Sequence, residues 1–82
     1  MTSPKLPNAA EYEALGGALR VLRRKAGLTQ RQAAERIGIR SQFVSEVERG
    51  RRGMRWHTLT ATVRAYKATL KQLAEEIERG GG

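Results

Sequence analysis

Arg40, Ser41 and Gln42 stand side by side just after a glycine, and Ser45 and Glu46 follow one helical turn further on. A guanidinium presents paired donors, a carboxamide a donor beside an acceptor, a hydroxyl either, and a carboxylate acceptors only. These groups recognise a surface through hydrogen bonds. Bond-making chemistry has no comparable set here. No nucleophile, base and orienter constellation and no phosphate-binding glycine loop is visible. His57, the only histidine, has no second ligand-type neighbour at metal spacing and is expected to be exposed. Neither an enzyme nor a metal, cofactor or small-molecule site is expected.

The polar set needs something to hold it outward, and the apolar residues supply this at helical spacing. Sustained period-two alternation is missing, so the expected class is all-α, with five helices. The first is expected to start at Asn8, with Glu11 three residues on as in a capping box. It buries Leu15, Ala18, Leu19, Leu22 and Ala26 and ends at Gly27, with its early part weakened by Gly16 and Gly17 at about 1 kcal/mol each. Thr29 and Gln32 open a second, short helix with Ala33, Ala34 and Ile37 inward, closed by Gly38. A third runs from about Ser41 to Arg49 with Val44 and Val47 inward, stopped by Gly50. The spacing Trp56, Leu59, Val63, Tyr66 marks the inner face of a fourth. Thr69 with Gln72 caps a fifth, carrying Leu70, Leu73 and Ile77 on one face. Residues 1–8 and 80–82 read as flexible tails around a single domain over 9–79.

Two short helices around a glycine-containing turn fit either a helix-turn-helix unit, whose second helix enters the DNA major groove, or an ordinary helical hairpin with a solvated face. The charge agrees with the first. Eighty-two residues carry sixteen Lys and Arg against eight Asp and Glu, and residues 20–67 hold thirteen of the basic side chains and three acidic ones. Such a balance favours polyanion partners. A chain this short buries only about 60% of its unfolded surface, which leaves little room for an enclosed cavity. Without cysteine, its stability rests on packing. No apolar run approaches the roughly 20 residues of a membrane span, and no secretion signal is visible, so a cytoplasmic protein is expected.

The segment "GLTQRQAAERIGIRSQFVSEVERGRR", Gly27 to Arg52, resembles the helix-turn-helix of the lambda-repressor/Cro superfamily, the Xre-type regulators. The resemblance extends from Leu15 to Leu73 and implies a compact five-helix DNA-binding domain. It places Arg40, Ser41, Gln42 and Glu46, with Ser45 nearby, at base-reading positions. Gln30 and Arg31 on the second helix, and Arg51, Arg52 and Arg55 around the loop into the fourth, fall where phosphates are held. Arg23 and Glu48 occupy positions that often form an ion pair joining the first and third helices. The side-chain types fit these roles, since Arg40 matches guanine O6 and N7, Gln42 adenine N6 and N7, and Glu46 cytosine N4, each at about 1–3 kcal/mol of discrimination. Alternatively, Glu46 is the ion-pair partner of Arg49. Phe43 either touches a thymine methyl or packs beneath its own helix.

The sequence departs from the family pattern in three places. Arg40 replaces the usual Ser or Thr cap, so either Ser41 caps one residue later or the first turn is held less firmly. Gly53-Met54 replaces Asn-Pro. Ala33 replaces a larger apolar residue, with Trp56 expected in the core to fill the volume.

The resemblance implies a sequence-specific, double-stranded-DNA-binding transcriptional regulator. The expected form is a repressor that binds an inverted-repeat operator as a homodimer, with Leu70, Leu73 and Ile77 as the dimer surface or, alternatively, as closure of the monomer core. An antitoxin-type regulator that also binds a toxin is a second expectation. A protein-interaction or RNA-binding module, touching transcription machinery, is a third.

Overall fold

Two pairs of reciprocal hydrogen bonds set where helices begin. In the computed structural model, which describes residues 9–80, Thr29 Oγ1 accepts from the Gln32 backbone N–H at 3.0 Å while Gln32 Oε1 accepts from the Thr29 N–H at 2.9 Å. Thr69 and Gln72 make the same exchange at 3.0 and 2.9 Å. Each box satisfies donors that the first turn of a helix would leave open. The helices are α1 (Ala9–Lys25), α2 (Gln30–Ile37), α3 (Ser41–Glu48), α4 (Trp56–Ala65) and α5 (Leu70–Glu78). There is no strand among the described residues. The expected cap Asn8 and the expected tails lie outside the described residues, apart from Gly80, whose N–H donates to Ile77 O.

Gly38 adopts φ 88°, a left-handed conformation that costs a Cβ-bearing residue roughly 1–2 kcal/mol. Its N–H and that of Ile39 both donate to Ala34 O, at 2.8 and 3.0 Å. This closes α2 and turns the chain directly into α3.

The core forms where helices from both halves of the chain meet. α1 packs on α3 and α5, and α2 on α3 and α4. Leu19 and Val47 are almost wholly enclosed, in one cluster with Ala18, Leu22, Leu28, Ala33, Val63, Tyr66 and Leu73, and Val44 is buried as well. Thr62 is also buried, and its hydroxyl donates to Thr58 O at 2.8 Å and lies 3.4 Å from Met54 Sδ. The burial of a polar group is thereby compensated.

The structure gives Gly16 a packing role and corrects the expectation for Trp56. Gly16 is buried in a formed helix, and a Cβ there would collide with Val47 O and stand 2.9 Å from Glu48 O. The glycine that weakens α1 as an isolated helix is what lets α1 approach the end of α3. Trp56 does not fill the core; it is 66% exposed and has no place in the cluster that encloses Ala33. As the first residue of α4 it lies where that helix emerges, and of the four spaced residues only Leu59, Val63 and Tyr66 reach the core. No helix among the described residues is long and apolar enough to cross a membrane.

Candidate nucleic-acid interface

α3 buries Val44 and Val47 and turns its opposite side to solvent. Arg40, Ser41 and Gln42 are exposed at its start, while Ser45 and Glu46 are half-buried behind them. Arg40 is the residue preceding the first turn, with φ −82° and ψ 146°, and no side chain caps the helix there. Ser41 therefore does not cap one residue later. The Arg40 carbonyl still accepts from Phe43 and Val44 N–H at 3.0 and 3.3 Å, so the turn is formed by backbone bonds alone.

The angle of α3 is fixed from the opposite flank. Arg23 Nε donates to Glu48 Oε2 at 2.7 Å and its Nη2 to Oε1 at 3.1 Å, a bidentate pair. Arg23 Nη1 donates to Leu28 O at 2.7 Å, and Gln30 Nε2 donates to Glu48 Oε1 at 3.0 Å. One carboxylate thus ties α3 to α1 and to the first residue of α2. The hydrogen bond to Glu48 raises the Arg23 pKa above its usual value against the opposing effect of burial. Beneath it, burial pushes the Tyr66 phenol up to about 12, with a further upward push from Glu48 and a smaller downward one from Arg23.

Glu46 pairs with Arg52, at Nη1–Oε1 3.1 Å, and not with Arg49. Its other oxygen, Oε2, lies 3.4 Å from Gln42 Nε2. The Arg52 guanidinium lies over the Phe43 ring, 4.7 Å from the centroid, and Phe43 is half-buried against the core. Arg49 follows the opposite edge of α3, where it lines an open cleft with Arg20, Arg24 and Ser45.

The exposed side of α3 is thus flanked by cations on both edges. Arg51 and Arg55 are exposed on the loop side, Arg31 is exposed on α2, and Arg20 and Arg24 belong to the cleft. Arg20 and Arg24 had no assigned role from the sequence. The only signal for them was the crowding of basic residues between 20 and 67. His57 is exposed, and no metal-holding group of His, Asp and Glu exists among the described residues. On α5, Leu73 is buried in the core, Ile77 packs against it, and Leu70 is 41% exposed.

A short helix braced by its neighbour, with a polar outer side between two cationic edges, defines the class: a helix-turn-helix DNA-binding domain of Xre-like regulators. Residues 14–77 match the family described as helix-turn-helix domain, and the chain belongs to that family. Among solved structures it is similar to the clp gene regulator ClgR from C. glutamicum, with 32% identity, a TM-score of 0.84, and coverage of 95% of this chain and 100% of that one. A second structure of ClgR from the same organism gives 32% and 0.82 over 92% of this chain and 78% of that one. A point mutant of the restriction-modification controller protein C.Esp1396I shares the fold at 17% identity and TM-score 0.77, over 84% and 87% of the two chains. None of the curated proteins matches. Family and fold together identify a DNA-binding transcriptional regulator.

Proposed function

We propose that the protein represses transcription by binding an inverted-repeat operator as a homodimer, with residues 41–49 in the major groove. The observation that supports this best is the exposed run Arg40, Ser41, Gln42 on a helix whose angle Glu48 ties to both α1 and α2. Arg40 and Gln42 address guanine and adenine edges, and Ser45 stands behind them in the same groove. Gln30, Arg31, Arg51 and Arg55 hold phosphates on either side and set register without reading sequence. Gln30 has one amide donor committed to Glu48, so a phosphate contact from its remaining N–H also steadies the ion pair.

One α3 covers only a few base pairs, and a second copy about 34–36 Å away on the same DNA face supplies the rest of the site. Leu70 is the apolar residue on α5 available for that second copy; Leu73 already serves the monomer core, and Ile77 is half-used. Selection of bound sequences from random duplex DNA tests the whole reading. Enriched half-sites in inverted orientation at one-turn spacing are expected, whereas a pool without enrichment rules out an operator-binding role.

A further inference from the structure

We propose that Arg52 reads a guanine as a member of the α3 surface, with Glu46 as its buttress and Phe43 as its seat. The assignment rests on the DNA-reading function of α3 and changes the roles that family position alone gives these residues, a phosphate contact for Arg52 and a base contact for Glu46.

Three contacts carry it. Arg52 Nη1 donates to Glu46 Oε1 at 3.1 Å, its guanidinium lies 4.7 Å from the centroid of Phe43, and Gln42 Nε2 stands 3.4 Å from the other Glu46 oxygen. Arginine has five N–H donors in a rigid planar fork, and the bond to Glu46 uses one of them. The ring packs against the guanidinium and the carboxylate accepts from one of its nitrogens, and the two contacts together restrict the side chain. A long loop side chain otherwise loses much rotamer freedom when it binds, and ordering it beforehand lowers that cost.

The charges decide which partner faces the DNA. A carboxylate beside phosphates is repelled, and each oxygen of Glu46 already has a donor within reach, so its charge is partly committed inside the protein. Glu46 is also the more enclosed partner, with 31% of its side chain exposed against 54% for Arg52. The group with spare donors, greater exposure and the favourable sign is the guanidinium. A phosphate contact has little use for this arrangement, because Glu46 offsets the arginine charge that attracts phosphate, and such a contact tolerates a mobile side chain. The O6 and N7 atoms of guanine, by contrast, require a fork held in one plane.

Competition binding against the selected site, against its four-base variants at each position, and against random duplex tests this. With Arg52→Lys, which keeps the charge and loses the fork, preference for one G·C pair should fall about tenfold or more while affinity for random duplex is retained. Glu46→Ala should lose preference at the same pair and bind random duplex more tightly, and adding it to Arg52→Lys should cost no further preference. Glu46→Gln, which keeps an acceptor for Arg52, should preserve most of the preference. If Arg52→Ala weakened selected and random DNA alike and Arg52→Lys restored both, Arg52 would be a phosphate contact and the proposal would fail alone. If Glu46→Ala altered a pair that Arg52→Lys left intact, Glu46 would itself be the reader. A wild-type protein with no sequence preference would remove the DNA-reading assignment and this proposal together.

Discussion

Glu48 and Arg23, twenty-five residues apart in sequence, meet at 2.7 Å with only 4% and 9% of their side chains exposed. The pair joins α3 to α1, and its carboxylate also accepts from Gln30 at the start of α2. One acidic side chain thus adds a polar tie to both helices on which α3 packs.

Replacing Glu48 with alanine leaves the Arg23 guanidinium buried without its carboxylate. A loss of about 3–5 kcal/mol is expected, a large part of the stability of a domain this small. Urea unfolding measures it. A melting temperature within a few degrees of wild type would show that the pair contributes little.

Gly16→Ala raises the intrinsic helix preference of α1 yet is expected to destabilise the protein. The added methyl meets the Val47 and Glu48 carbonyls, which belong to backbone and have little freedom to move aside. Overpacking of this kind costs about 1–3 kcal/mol, more than the roughly 0.5–1 kcal/mol gained in helix propensity. Because the clash is between α1 and α3, DNA affinity should fall along with the unfolding midpoint.

Tyr66 makes stability depend on alkaline pH. Its pKa rises from the ordinary 10 to about 12 in the folded chain, so folding favours the protonated phenol. The contribution is complete below pH 10 and declines as pH rises from 10 toward 12, by up to about 2–3 kcal/mol. Tyr66→Phe should show a shallower loss over that range when unfolding free energies at pH 8 and pH 11 are compared.

Arg40→Ala and Arg51→Ala should fail in different ways in gel-shift titrations. The first is expected to remove preference between the selected site and random DNA. The second should weaken both similarly and reduce the dependence of log K on log salt by about 1. Unchanged preference in Arg40→Ala would move the reading register away from that residue.

Much of the architecture was legible because it is local. The boxes at Thr29–Gln32 and Thr69–Gln72, the stop at Gly38 and the inward positions Val44 and Val47 each depend on residues within a turn or two of one another. Trp56 shows where periodicity stops being informative. It keeps the i, i+3, i+7 spacing of its helix, yet that spacing gives only a direction, and burial needs another element to lie in that direction. At the first turn of α4 Trp56 has little cover.

By itself the sequence determined the number and order of the helices, the turn between α2 and α3, the excess of positive charge and the polar character of the outer side of α3. Propensity, capping and amphipathic period act over a few residues and are written into the chain directly. Only the tertiary structure decided that Glu46 takes Arg52 in place of Arg49, that Gly16 is a contact point, and that Leu73 is enclosed while Leu70 is not. Those outcomes depend on how far apart two surfaces come to rest after α1, α3 and the loop beyond Gly50 have packed, and no local preference encodes that distance.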